Sequence, residues 1–185
     1  MSDLGNLPYF LGIEFIRTKD EIFMHQKKYS TDILERFQMQ TCNSASTPIE
    51  SGNISQTLEE ENQLADKTLY RQMIGCLRYV CNTRPDMAYG VGVVSRHMET
   101  PKKTHLLAAK RLLRYLKGTV ELGLLLPCKT SNLNHEMFGF SDADWCGDKA
   151  DRKSTTGYLF LLGNAPISWC SKKQDVVALS SCEAE

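Results

Sequence analysis

The chain has no net charge, since 22 Lys plus Arg balance 22 Asp plus Glu over 185 residues. Such a balance gives no overall field to draw in nucleic acid or a membrane surface, so any electrostatic recognition must come from local clusters. No stretch reaches the about eighteen uninterrupted apolar residues that a membrane-spanning helix needs. The opening Met1-Ser2-Asp3-Leu4-Gly5 lacks the basic and apolar regions of a secretory leader. A soluble, intracellular protein is therefore expected, cytoplasmic or nuclear, with no membrane partner. The seven cysteines, Cys42, Cys76, Cys81, Cys128, Cys146, Cys170 and Cys182, form no CxxC pair and no Cys/His spacing suited to zinc. An odd, unpaired set fits a reducing compartment better than a disulfide framework.

What is present is a core-forming chain, 42% hydrophobic, with enough apolar residues for one sizeable core or two small ones. Tyr9-Phe10-Leu11-Gly12-Ile13-Glu14-Phe15-Ile16 reads as a buried strand. The polar turn Thr18-Lys19-Asp20-Glu21 leads into a second strand, Ile22-Phe23-Met24-His25, which predicts a hairpin. Tyr29, Ile33, Leu34 and Phe37 then recur at helical spacing, with Ser30 or Asp32 as the candidate N-cap. Residues 41–62, rich in Ser, Thr, Asn, Gln and Glu and holding Pro48 and Gly52, predict an exposed, mobile connection.

Three helices are expected next. The first carries Leu69, Met73, Ile74, Leu77 and Val80 and ends before Thr83-Arg84-Pro85, because the residue before proline is pushed out of helical geometry. The second starts at Pro85, a residue suited to a first helical turn, and runs through Val91, Val94 and Met98. The third spans 102–116, stops at Gly118, and turns Leu106, Ala109, Leu113 and Leu116 to the core. Beside that apolar face, Lys103, Lys110, Arg114 and Lys117 fall in one stripe, and no acidic residue interrupts 102–117. The stripe reads in two ways: as a track for a phosphate backbone, or as a solvated face whose long stems cover apolar surface. His105, at the start of the same helix, reads as a surface residue.

Beyond Val120 the period becomes strand-like. Leu122-Gly123-Leu124-Leu125-Leu126, Met137-Phe138-Gly139-Phe140, Tyr158-Leu159-Phe160-Leu161-Leu162 and Ile167-Ser168-Trp169-Cys170 predict a meander, and meanders form antiparallel sheets. The polar stretch 147–153 is its expected loop, and 176–185 reads as a loop entering a helix. Candidate chemistry lies in Ser141-Asp142-Ala143-Asp144. Asp142 follows the apolar run ending at Phe140, which places its carboxylate at the rim of a buried strand, where two-metal hydrolases put a bridging ligand. Magnesium favours oxygen donors and keeps several waters. Glu183 and Glu185, at the head of a helix packed on that sheet, are candidates for the next ligand.

Four segments in order carry a more specific signal. Gly139-Phe140-Ser141-Asp142-Ala143-Asp144-Trp145-Cys146-Gly147-Asp148, Asp151-Arg152-Lys153-Ser154-Thr155-Thr156-Gly157-Tyr158, Ile167-Ser168-Trp169-Cys170-Ser171-Lys172-Lys173-Gln174 and Ala178-Leu179-Ser180-Ser181-Cys182-Glu183-Ala184-Glu185 resemble the ribonuclease H domain of copia-type LTR retrotransposon Pol polyproteins. Met1-Ser2-Asp3-Leu4-Gly5 with Tyr9-Phe10-Leu11-Gly12-Ile13-Glu14 resembles the end of the reverse transcriptase palm. Thr47-Pro48, Tyr70-Arg71-Gln72-Met73-Ile74-Gly75, Thr83-Arg84-Pro85-Asp86 and the run from Ala108 to Thr119 are similar to the thumb and connection.

The resemblance implies an α+β fold. A palm-end hairpin with a helical thumb and connection (1–127) is followed by a truncated ribonuclease H-like mixed sheet (128–185). It implies that Phe10, Leu11 and Gly12 belong to a primer grip, and that the partners are a template-primer duplex or RNA/DNA hybrid and the remaining Pol segments. It implies Mg²⁺ held by Asp142 and Glu185, with Glu183 the lesser candidate because the family's catalytic Glu sits between Ala and an apolar residue. Asp144 takes the place of a neighbouring polar residue. The family's Tyr-x-Asp-Asp polymerase hairpin does not occur in the chain, and two further ribonuclease H aspartates have no counterpart. The resemblance therefore implies a fragment inactive by itself. The alternatives are a noncatalytic nucleic-acid-binding remnant using helix 102–117, or a degenerate product without function. Without its helices, such a sheet is expected to leave Leu159, Leu161 and Trp169 uncovered on one side, so that the second part is molten or depends on the first for packing.

Overall fold

In a computed structural model of the chain, the described residues are 5, 7–50, 63–128, 136–148 and 150–185. Met1, Ser2, Asp3 and Leu4 of the opening motif, residues 51–62 of the polar connection and Lys149 of the 147–153 loop lie outside them. The architecture is α+β, with two antiparallel sheets flanking a helical core.

The first sheet has the order β1 (Tyr9–Phe10), β2 (Ile13–Arg17), β3 (Glu21–His25) and β4 (Gly123–Pro127). β1 and β2 turn through Leu11 and Gly12, at φ of 47° and 80°, a left-handed bend that glycine takes at low cost. In the β2–β3 turn, the Thr18 hydroxyl accepts from the Glu21 N–H at 3.1 Å, so the predicted hairpin forms. β4 returns from far along the chain to close the sheet on β3, with Gly123 opposite His25. A Cβ at Gly123 would stand 2.3 Å from the Met24 carbonyl oxygen, so only glycine allows this approach.

The helical core packs α1 (Lys27–Arg36), α2 (Lys67–Val80), α3 (Ala88–Ser95) and α4 (Lys103–Gly118) around Ile33, Ile74, Leu77, Val94, Leu112 and Leu116. α2 is capped by Asp66, whose carboxylate accepts from the Thr68 and Leu69 N–H groups at 2.8 and 3.1 Å. Its buried residues, Tyr70, Met73, Ile74, Leu77 and Val80, follow helical periodicity. The expected second helix begins as a 3₁₀ turn over Pro85–Met87 before α3.

Several expectations need correction. Tyr9 to Ile16 is not one buried strand: the left-handed bend at Leu11 and Gly12 splits it into β1 and β2, and Tyr9, Phe10 and Ile16 are 51, 54 and 54% exposed. The strand expected over 122–126 does not continue into the later strands but pairs with β3 as β4. α1 is capped by neither Ser30 nor Asp32, because β3 runs almost directly into a helix that starts at Lys27. Gln26 occupies the cap position without a side-chain cap bond, buried and accepting from the Thr83 hydroxyl at 2.9 Å, while Ser30 is buried inside the helix. His105 is not on the surface but 7% exposed, its ring stacked on His97 at 3.7 Å between centroids. It lies four residues before Ala109 and seven before Leu112, on the stripe that α4 turns inward.

The second sheet is β5 (Met137–Ala143), β6 (Thr155–Leu162) and β7 (Ala165–Lys173), antiparallel throughout. Register puts Asp142, Gly157 and Ser171 on one face with Leu159 and Trp169. That face is turned toward the helical part. The Trp169 indole donates to the Cys81 carbonyl at 3.1 Å, and Arg96 donates to the Thr155 hydroxyl at 2.9 Å. Leu159, Leu161 and Trp169 are accordingly half-buried, not bare. The open face is the other one, where Met137, Tyr158, Phe160 and Leu162 are 67, 39, 38 and 41% exposed. Packing of the second sheet thus draws on the first part of the chain. A short helix, α5 (Ser181–Ala184), ends the described structure.

Candidate functional site

Asp142 stands near the end of β5, opposite Gly157. The strand is not buried as the apolar run suggested: residues 137–142 are exposed, because among the described residues β5 pairs only with β6 and forms the sheet's edge. The Asp142 carboxylate has no hydrogen-bond or ion-pair partner among the described residues. It borders a cleft of about 560 Å³ between the two parts of the chain. Pro85, Asp86 and Tyr89 form one wall; Asp142, Leu159 and Trp169 line the other.

The neighbouring carboxylates are committed elsewhere. Asp144 accepts from the Thr155 N–H and lies so close over Gly147 that a Cβ there would meet its Oδ2 at 1.9 Å. It closes the β5–β6 loop. On the facing wall, Arg84 holds Asp86 in a fork, Nε to Oδ1 at 2.9 Å and Nη2 to Oδ2 at 2.7 Å, while the Tyr115 hydroxyl donates to Oδ2 at 2.9 Å. Burial alone would raise the Asp86 pKa, but the Arg84 hydrogen bonds and charge, with the Tyr115 hydroxyl, hold it below the usual carboxylate range. Asp148 receives Lys173 Nζ and lies 3.8 Å from Arg96. Burial works to raise its pKa too, and the Lys173 and Ala150 hydrogen bonds with the Lys173 and Arg96 charges outweigh it.

The two acidic residues at the end of the chain have different surroundings. Glu183 Oε2 accepts from the Leu179 N–H at 2.8 Å while its own N–H donates to the Ser180 hydroxyl at 3.2 Å, an arrangement close to a capping box. Glu183 thus secures the start of α5, and Glu185 is exposed beyond it. Gln174 ties α5 to the sheet by donating to the Thr156 hydroxyl and the Ala184 carbonyl. Thr156 pairs with Ala143, on the sheet face opposite Asp142. Among the described residues no group of three or more His, Cys, Asp or Glu side chains is placed to hold a metal ion. An oxygen-rich cage for two magnesium ions would need carboxylates beyond those placed together among the described residues.

The basic stripe on α4 divides in two. Arg114 Nε donates to the Asn43 carbonyl at 2.8 Å and Lys117 Nζ to the Cys42 carbonyl, while Arg111 pairs with Glu50 at 2.6 Å and donates to Thr47 at 2.9 Å. Residues 42–50 of the polar connection are therefore pinned along α4. Lys103 and Lys110 are exposed. Phe10 and Leu11 are 54 and 71% exposed at the β1–β2 tip, which docks on α2 through the Tyr79 hydroxyl and the Leu11 carbonyl. An alanine at Gly12 would meet the Tyr79 ring at 3.4 Å.

Reading the sequence for chemistry missed Tyr89 and the Arg84–Asp86–Tyr115 cluster. Thr83-Arg84-Pro85-Asp86 stood out as a segment, but its partners, Thr119 and Tyr115, lie on α4 and at its end.

Comparison with known proteins places the chain in context. It is 43% identical over 185 residues, its whole length, to the retrovirus-related Pol polyprotein from transposon RE1 of Arabidopsis thaliana. It is 42% identical over 196 aligned residues to that from transposon TNT 1-94 of Nicotiana tabacum. The chain spans 12 and 14% of the length of these two polyproteins. An uncharacterized mitochondrial protein of Arabidopsis thaliana is 38% identical over 188 residues, which cover all of this chain and 75% of that protein. No family model and no solved structure matches the chain. With whole-length identity to several Pol polyproteins, the chain belongs to the retrovirus-related Pol polyproteins of copia-type retrotransposons, of which it corresponds to a short segment.

Proposed function

We propose that residues 1–127 are the end of a reverse transcriptase and 128–185 the start of a ribonuclease H-like domain, and that the 185-residue chain binds template-primer duplex or RNA/DNA hybrid without extending or cutting it. The observation that carries this reading is the setting of Asp142. Among the described residues it is an exposed carboxylate without a partner, near the end of the first strand of the second sheet and beside a cleft, and it belongs to no group of three or more His, Cys, Asp or Glu placed to hold a metal ion. Further Pol segments would have to bring more carboxylates to Asp142 and Glu185 before Mg²⁺ was held. Bound there, the metal would supply charge stabilisation and an activated water for phosphodiester hydrolysis.

Nucleic-acid contact falls to Lys103 and Lys110, the exposed members of the stripe, since Arg114 and Lys117 serve carbonyls of this chain. An intracellular setting is part of the same proposal: all seven cysteines are free thiols. Among the described residues no helix is long and apolar enough to cross a membrane. Fluorescence anisotropy with a labelled RNA/DNA hybrid tests the binding. Wild type binds with strong salt dependence, and Lys103→Glu with Lys110→Glu weakens it at least tenfold at low salt. Equal binding by that variant, or none by wild type, removes the assignment.

A further inference from the structure

We infer that the cleft between α3 and the second sheet is a site for one unpaired nucleotide of a nucleic-acid strand, with Tyr89 as its aromatic platform. The inference rests on the proposal that this Pol segment binds nucleic acid, and it specifies what the Asp142 cleft takes.

The cleft's about 560 Å³ lies in the range of about 300–1,000 Å³ typical of small-ligand sites, suited to a single nucleotide and too small for a duplex. Aromatic rings line both walls. Tyr89 is 48% exposed, and its hydroxyl has no partner among the described residues. Across from it, Trp169 is half-buried and fixed by its indole bond to the Cys81 carbonyl. Every base has a π-face, so stacking on such a ring tolerates any sequence but requires the base to be out of the duplex stack.

Charge in the cleft is also sorted. Asp86 is neutralised by Arg84 and Asp144 is turned to the Thr155 N–H, so Asp142 is the one lining carboxylate without a partner. A strand entering the cleft brings its phosphate toward that carboxylate. Neutralising Asp142 should then tighten binding of the strand when divalent ions are absent.

The test is anisotropy in EDTA with two hybrids of equal paired length, one blunt and one carrying a short single-stranded extension. The extended hybrid binds the wild-type chain about tenfold more tightly. Tyr89→Ala abolishes that advantage, roughly a tenfold effect, and leaves blunt binding unchanged. Tyr89→Phe keeps the advantage, which separates stacking from damage to the fold. Asp142→Asn enlarges it. An extension that adds nothing, or a Tyr89→Ala loss equal on both hybrids, overturns the cleft assignment while leaving the nucleic-acid reading intact. Absence of binding to either hybrid overturns both.

Discussion

Replacing Arg84 by Met keeps the aliphatic stem and removes the charge, which isolates what the cluster at the start of α3 contributes. The Arg84 side chain is 4% exposed and donates to Asp86 through Nε and Nη2 and to the Thr119 carbonyl and hydroxyl at 2.7 Å each. Breaking a fully buried pair by removing one partner costs about 3–5 kcal/mol, and an exposed pair contributes about 1 kcal/mol or less. Asp86 is 35% exposed and keeps its bond from Tyr115, so water can take over part of its solvation. The expected loss lies between the limits, about 2–3 kcal/mol. With an m-value of about 2 kcal/mol per M, the urea midpoint followed by tryptophan fluorescence falls by about 1–1.5 M.

The pH dependence of that loss gives a second check. In the wild type the depressed Asp86 pKa contributes stability above the unfolded value, and this is lost as pH falls through the folded one. Removing Arg84 takes away the charge and hydrogen bonds that offset burial, so the Asp86 pKa rises relative to wild type, the variant suffers most at neutral pH and the gap to wild type narrows on acidification. A loss under about 0.5 kcal/mol, or a gap that widens toward low pH, would refute the assignment of Arg84 as the counter-charge that holds this turn.

Other outcomes follow from the same geometry. Gly123→Ala should cost about 3 kcal/mol or more and selectively weaken amide-exchange protection across β3 and β4, since its Cβ would overlap the Met24 carbonyl; unchanged protection would contradict the register. Burial, then the His97 and Lys102 charges, push the His105 pKa down to about 4 from 6.5. Between those values the unfolded chain binds the proton that the folded chain refuses, so up to about 3 kcal/mol of stability is lost as pH falls through that window. Arg96, Lys173 and Asp148 also act on the stacked His97. His105→Gln should therefore flatten the fall measured by urea unfolding between pH 7 and pH 4, and an unaltered slope would exclude the pair as its source.

The parts of the fold legible in the sequence are those set by local periodicity. The α2 stripe from Tyr70 to Val80, the break at Pro85 and the β2–β3 hairpin follow from spacing and turn chemistry within a few residues. Features set by distant partners were not legible. Arg114 and Lys117 resemble free phosphate ligands until Cys42 and Asn43 are seen to bring carbonyls to them from some seventy positions earlier. β5 has the apolar content of a buried strand, and its exposure depends on having a single neighbour. The position of Asp142 near the end of a strand was legible from its place after Phe140. The cleft beside it was not, because its other wall comes from Pro85 and Tyr89. His105 is the exception in which the signal was present: its spacing to Ala109 and Leu112 marks an inward position, and its polarity masked it.

The most direct test of the central claim is a Mg²⁺-dependent cleavage assay on a labelled RNA/DNA hybrid, with Asp142→Asn alongside the wild-type chain. The account predicts no cleavage above background by either protein, because among the described residues Asp142 is not joined by a metal-binding set. Cleavage by the wild type that disappears in Asp142→Asn would contradict it.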